Sequence, residues 1–386
     1  MLRNMLRDPV VRRLVVFFLL TRAALLGVGL TAYEFLPPGK GLTGDNLRFD
    51  RETPAVLDIW ARWDSEWYLL IAENGYDSGN VLSESALAYE PEDTAGFFPL
   101  YPALVRALTP LTGPVAGGLL ISNLALMAAL LLILGLARDL WGERFGSRAG
   151  LAAGAALLVG PFTLFHSAVY AESLFLALSL AVLFLARRDR FAWAGLAAAF
   201  ATLSRPFGAL LVIPLIIEWW QSRHRSRWGW TSIFGIGIGL GLYMLYCYGL
   251  FGDALAFVDR QNRWRGAMGL PGMAFLRWWQ AGPTLHGAHG STVELAVALA
   301  FLTSLPMAFR RLRPSLAFYL AAGVLLPLCS SLWSFGRITS TLFPIYLLLG
   351  MTWAEGHRRW PLAGATICGL FALVAMALFA AGWWVG

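Results

Sequence analysis

The sequence predicts an all-α, polytopic membrane protein, and three observations carry that prediction. Apolar residues make up 58% of the 386-residue chain and charged residues 14%, whereas soluble domains carry roughly 25% charged residues. Apolar runs long enough to cross a hydrocarbon core, about 20 residues each, recur from one end of the chain to the other. The basic residues behind the net charge of +7 stand in short clusters between those runs. There they orient a membrane protein instead of gripping nucleic acid.

Taken in order, the expected spans are 14–36, 114–137, 149–166, 170–186, 191–204, 206–220, 229–250, 291–309, 314–332, 338–354 and 361–384, about eleven in all. The first follows Arg3, Arg7, Arg12 and Arg13 and so begins like a signal peptide. Its apolar stretch exceeds the roughly 7–15 residues of such a segment and no Ala-x-Ala site follows, so it reads as an uncleaved span. Alternate connections are arginine-rich: Arg138, Arg144 and Arg148; Arg187, Arg188 and Arg190; Arg223, Arg225 and Arg227; Arg310, Arg311 and Arg313; Arg358 and Arg359. That alternation obeys the positive-inside rule and predicts a multi-pass inner (plasma) membrane protein with a cytoplasmic N-terminus. The whole of 1–386 reads as one integral membrane domain. Cys247, Cys329 and Cys368 fall in separate apolar segments without metal or disulfide spacing and read as small core residues.

Two connections on the outer side are long, 37–113 and 251–290. Trp60, Trp63 and Trp67 lie in the first, and Trp264, Trp278 and Trp279 in the second. Tryptophan favours the headgroup level, so both are expected to form short interfacial helices roofing a cavity. Asp58 to Glu73 reads as one such helix, with Trp60, Trp63, Trp67, Leu70 and Ile71 on an apolar stripe. Asp64 sits within that stripe, while Arg62, Ser65 and Glu73 fall on the opposite, solvated face. An acid held among aromatic rings suits a functional site, here a general base; the plainer reading is a helix-capping aspartate. Glu66 completes an Asp-x-Glu pair that suggests a divalent cation, Mg or Mn. On a helix these side chains point about 200° apart, so they share a metal only if Asp64 precedes the helix. Otherwise Glu66 is a surface acid.

Further polar residues map to the same outer face: Arg205 before Pro206, Arg337, Arg263, and Tyr170 and Glu172 with His166 just before them. Arginine this close to a bilayer is costly and is usually paired or functional. Singly, His166 reads as bonded to a carbonyl and Glu172 as favouring a helix N-terminus; their shared face points to a site. Arg22, inside the first span, is expected to snorkel inward or to pair with another span. One carboxylate and several arginines at the mouth of a membrane cavity suit transfer of a sugar from a lipid phosphate to a hydroxyl. Asp64 would take the hydroxyl proton, and Arg205, Arg337 and Arg263 would bind the phosphate and stabilise it as it leaves.

Several motifs resemble the GPI mannosyltransferase II (PIG-V) family. They are Trp63-Asp-Ser-Glu-Trp-Tyr-Leu-x-Ile-Ala-x-x-Gly-Tyr76, Phe97-Phe-Pro-Leu-Tyr-Pro102 and Tyr170-Ala-Glu-Ser-Leu-Phe175. Ala201-Thr-Leu-Ser-Arg-Pro-Phe-Gly208, Phe251-Gly-Asp-Ala-Leu-Ala-Phe257 with Gln261 and Trp264, and Ser334-Phe-Gly-Arg337 before Phe343-Pro344 complete the set, in the family's order. The resemblance implies a GT-C glycosyltransferase fold and inverting transfer of mannose from a polyprenyl- or dolichyl-phosphate carrier to a glycolipid or glycan. It implies Asp64 as catalytic base at the extracytoplasmic face, supported by Glu66. Arg62, His166, Tyr170, Glu172, Asp253, Gln261 and Trp264 are expected to contact substrate. The chain is shorter than the family's members, and a GPI precursor is not expected as its acceptor. Three alternatives stand beside this reading. One is a GT-C enzyme using glucose, arabinose or an aminoarabinose. A secondary transporter would call for mid-membrane polar residues and inverted repeats. A structural or scramblase-like protein has no need of Asp64.

Overall fold

The structure is a computed structural model that describes residues 7–39, 53–76, 90–222, 229–287, 289–356 and 359–386. Arg223, Arg225, Arg227 and Arg358 lie outside the described residues, as do parts of the first outer connection. In chain order the α-helices are α1 (Pro9–Phe35), α2 (Ala55–Asp58), α3 (Asp64–Asn74), α4 (Leu100–Thr112), α5 (Pro114–Trp141), α6 (Glu143–Val159) and α7 (Glu172–Ala186). They continue with α8 (Phe191–Ser204), α9 (Val212–Gln221), α10 (Gly229–Phe251), α11 (Ala256–Arg265), α12 (Met273–Ala281), α13 (Thr292–Arg311), α14 (Pro314–Leu328), α15 (Phe335–Thr339), α16 (Pro344–Ala354) and α17 (Arg359–Ala380). Among the described residues, five helices are long and apolar enough to cross a membrane, those at Pro9–Phe35, Pro114–Trp141, Gly229–Phe251, Thr292–Arg311 and Leu362–Ala380. Shorter apolar helices fill the interior between them.

The main core is built where α5, α6, α7, α8, α14 and α16 pack together, around Leu126, Leu157, Phe175, Leu180, Phe343 and Leu347. Close approach depends on small residues. A Cβ added at Gly235 of α10 would meet the Gly195 backbone of α8, and one at Gly239 would meet the Ala199 carbonyl at 2.5 Å. Such small-residue contacts are how helices associate where no hydrophobic force acts between them.

Among the described residues, arginines of three of the arginine-rich connections gather at one end of this bundle. Arg138 at the end of α5 pairs with Asp8 ahead of α1 at 2.7 Å. Arg187 after α7 pairs with Asp139 at 2.6 Å and with Glu218 of α9 at 3.6 Å. Glu218 also takes Arg313, between α13 and α14, at 3.4 Å. Helix ends predicted to share one membrane face therefore share one end of the molecule. The 15 residues of α7 put Glu172 about 22 Å from that end.

Several expected boundaries shift for a common reason. The span expected at 149–166 is helical from Glu143 but stops at Val159, and those at 314–332 and 338–354 stop at Leu328 and start at Pro344. The intervening residues form irregular segments and short turns, the second of them carrying the five-residue α15, and they are largely buried in protein, a setting in which broken helical backbone is tolerated at membrane depth. Arg22 satisfies the first of them: it donates to Leu158 O, Thr163 O, Thr163 Oγ1 and Ser167 Oγ at 2.8–3.2 Å. It thus pairs with backbone at the end of another span, the second of its two expected fates. Cys329, Ser330 and Ser331 carbonyls in the second accept from Gly269 N, Arg277 and Arg265.

The helix expected over 58–73 is also broken. Trp63 takes φ +58° and α3 starts at Asp64. The carbonyls that a continuous helix would use internally go elsewhere: Trp60 O accepts from Val169 N at 3.2 Å and Arg62 O from Tyr170 Oη at 3.0 Å. Arg62 and Ser65, expected on a solvated face, are fully buried, and Glu66 is buried as well.

Candidate active site

Four charged side chains meet where the irregular segments converge. Asp64, first residue of α3, presents Oδ2 to Arg337 Nη1 at 2.6 Å. Arg337 Nε lies 3.6 Å from Glu172 Oε1, and the same oxygen takes Arg205 Nη1 at 2.5 Å. Each residue sits at an element end: Glu172 opens α7, Arg205 closes α8 ahead of Pro206, and Arg337 rides on the short α15. Both acids occupy first helical turns, where backbone N–H groups favour negative charge.

The two acids differ in access. The Glu172 side chain is 2% exposed and that of Asp64 25%. Glu172 is therefore the sealed anchor that holds both arginines, and Asp64 is the acid an incoming group can reach. Around Arg337 stand the rings of Phe165, Tyr170 and Trp384, centred 5.4–5.5 Å from its guanidinium carbon. Burial alone would pull the Arg337 pKa down, but Asp64 and Glu172 outweigh it and hold the pKa above the ordinary value.

The backbone under Arg337 is also held. Ser334 adopts φ +57°, a conformation that costs a non-glycine residue about 1–3 kcal/mol and persists where surroundings over-determine it. Glu294 Oε2 accepts from Gly336 N at 2.6 Å. Glu294 is buried on the first turn of α13, and Ser291 Oγ caps that helix through Glu294 N at 3.2 Å. Arg265 reaches Ser331 O at 3.1 Å, and burial, with Arg337 nearby, pushes its guanidinium down to about 10, so it stays charged at neutral pH.

The structure sorts the expected site residues into three groups. Asp64, Arg337, Glu172, Arg205 and Tyr170 come together. His166 is buried close by, bonded through Nδ1 to Ser173 Oγ at 3.3 Å. Arg62 lies beneath the site, its Nη2 2.6 Å from Asp58 Oδ2 and its Nε bonded to Ala380 O. The third group is a clasp between the two long connections. Arg263 pairs with Glu90 and Asp93 at 3.0 and 3.4 Å, joined by Arg260 at 2.6 Å from Glu90. Gln261 donates to Gly96 O at 3.2 Å and Trp264 packs on Trp67 and Phe97. Asp253 is exposed and accepts from Leu255 N in a turn.

Asp64 and Glu66 both belong to α3, so their carboxylates project about 200° apart and do not face one ion. Asp64 also spends Oδ2 on Arg337. Among the described residues no group of three or more His, Cys, Asp or Glu could hold a metal ion. The arrangement offers a divalent cation a poor fit at Asp64 and Glu66.

Glu294, Arg265 and Trp384 are site neighbours not singled out from sequence. Glu294 had a usable signal, an acid at the outer end of an apolar run. Trp384 had none, because hydropathy places it at the tail of the last span.

No protein-family model matches the chain, and no curated protein matches it in sequence. Solved structures do. ArnT from Cupriavidus metallidurans bound to undecaprenyl phosphate aligns with a TM-score of 0.53 and 17% identity, over 92% of this chain and 63% of that one. The same protein in the apo state aligns with a TM-score of 0.51 and 18% identity, over 92% and 62%. The oligosaccharyltransferase AglB from Archaeoglobus fulgidus, in complex with an inhibitory peptide and a dolichol-phosphate, aligns more loosely, with a TM-score of 0.43 and 12% identity over 95% and 56%. The chain therefore spans under two thirds of the length of the ArnT chains it matches. At this identity the likeness establishes architecture: the chain has the polytopic, all-α GT-C fold.

Proposed function

We propose that this protein is an inverting glycosyltransferase that moves mannose from a polyprenyl- or dolichyl-phosphate carrier to an acceptor hydroxyl on a glycolipid or glycan. The observation that carries the reading is the pairing of an accessible carboxylate, Asp64, with a two-arginine cluster, buried Arg337 and partly buried Arg205, anchored by Glu172. The GT-C architecture supports it, as does the undecaprenyl phosphate in the ArnT structure. The sugar and the PIG-V-like relationship rest on the sequence motifs.

In this reaction the acceptor O–H gives its proton to Asp64 as its oxygen attacks C1 of the sugar. The C1–O bond to phosphate breaks on the opposite face, which inverts the anomeric centre, and the electron pair leaves with the lipid phosphate. Arg337 and Arg205 take up that growing negative charge in a low-dielectric pocket, where oriented donors act strongly. Glu172 keeps both guanidiniums in place before substrate arrives. The site then faces the extracytoplasmic side, opposite the arginine end.

General-base removal typically costs about 10²–10⁴-fold in rate. Asp64→Asn should lose that much transfer from radiolabelled polyprenyl-phosphate mannose in membranes, at unchanged protein level. Wild-type turnover by the variant would sink the assignment.

A further inference from the structure

At the arginine-rich end, far from the candidate active site, α13 and α16 leave a crevice of about 530 Å³ between them. Arg310, Arg311 and Glu355 stand at its polar part, and Thr303, Pro306 and Met307 line its wall. Pro306, inside α13 and on the crevice wall, has no N–H to give the Leu302 carbonyl. Across the gap Arg311 Nη1 meets Glu355 Oε2 at 2.7 Å.

Two properties say what fills it. The adjoining surfaces are hydrocarbon: Leu299, Met307 and Phe309 of α13 and Leu349 of α16 are exposed large apolar side chains. The crevice opens onto the molecule's surface and continues that apolar face, so an occupant can enter it from outside the protein. The charge balance is positive. Arg311 and Glu355 cancel, while Arg310 is exposed and makes no ion pair among the described residues, which leaves one uncompensated guanidinium at the apolar slot. Basic pockets between transmembrane helices suit anionic lipid headgroups.

We propose that this crevice binds an anionic phospholipid, with an acyl chain along Pro306 and Met307 and the headgroup phosphate on Arg310. The site is separate from sugar transfer and stands whether or not that reading holds.

Lipid binding to the purified, detergent-solubilised protein, counted by native mass spectrometry, tests it. The wild type should retain phosphatidylglycerol in preference to phosphatidylcholine. One guanidinium near a membrane surface is worth roughly 1 kcal/mol, so Arg310→Gln should weaken phosphatidylglycerol binding about fivefold and leave phosphatidylcholine unchanged. Met307→Trp, which fills the slot, should reduce both. Equal retention of the two lipids by wild type would overturn the proposal, as would an Arg310→Gln protein with full phosphatidylglycerol preference. Glycerol 3-phosphate binding as well as the intact lipid would also overturn it, because a soluble-anion site needs no slot. Melting in phosphatidylcholine checks that both variants are folded.

Discussion

Because Arg62 is fully buried with its guanidinium on Asp58, removing it strands a largely buried carboxylate without its partner. Losing one partner of a buried pair typically costs about 3–5 kcal/mol. Arg62→Ala should therefore unfold the protein at markedly lower temperature, while Arg62→Met with Asp58→Leu recovers most of the loss. Protein that does fold should keep the wild-type KM for donor; a raised KM would restore Arg62 to substrate binding. Arg337 stands differently, since it joins Asp64 to Glu172 and still has a mouth to face. Arg337→Lys keeps the charge but loses the planar fork that serves two acids at once. Its kcat/KM for polyprenyl-phosphate mannose should fall by about tenfold or more, with Arg337→Ala lower still and Arg205→Ala raising KM. Unchanged kinetics in all three would remove the phosphate site.

At the scale of elements, the site depends on where helices stop. Asp64 is reachable because α3 begins at it, and Arg337 is placed because α15 is a short turn pinned at Gly336 by Glu294. Glu294→Gln retains a carbonyl oxygen for the Gly336 N–H, and Glu294→Ala does not. The alanine variant should lose donor affinity, read as KM, and the glutamine variant should stay near wild type. In an Arg337→Ala background Glu294→Ala should add nothing further to KM; additive losses would show that the two act independently. These breaks explain why the span centres were legible in the sequence and several ends were not. Hydropathy registers burial in any apolar surroundings. It cannot separate a helix such as α6 from the buried irregular segment after it, whose Phe162, Leu164 and Phe165 are equally apolar. α6 does carry a local stop, Gly160-Pro161, and Arg22 then takes the Leu158 carbonyl left near its end. What ends the tryptophan helix is Tyr170, more than 100 residues away in the chain. The site's acids and arginines were legible because charge is conspicuous in an apolar chain, but their sorting was not. Arg62, Arg263 and Arg337 look alike in sequence, and only their partners separate a buried strut, a clasp and a site residue.

The whole molecule is polarised along the bundle axis, and that polarity has a direct test. Asp8, Arg138, Arg187, Glu218, Arg313 and Glu355 join one end, while Asp64, Glu172, Arg205 and Arg337 occupy the other. The positive-inside rule assigns the first end to the cytoplasm, because lysine and arginine in short connections resist translocation. Under the proposed function, a donor sugar on a polyprenyl carrier would then meet Asp64 on the outer side. With Cys247, Cys329 and Cys368 replaced by serine or alanine, single cysteines can be placed at Asp253, which is exposed in the second outer connection, and at Ser222, next to the arginine end. In intact cells a membrane-impermeant maleimide should label Asp253→Cys and leave Ser222→Cys unmodified until the membrane is permeabilised. The reverse pattern would put the site in the cytoplasm, where it would need a donor on the inner leaflet. Labelling of both positions in intact cells would mean that the two ends do not lie on opposite sides of one bilayer, and the alternation of arginine-rich connections would lose its meaning as a guide to orientation.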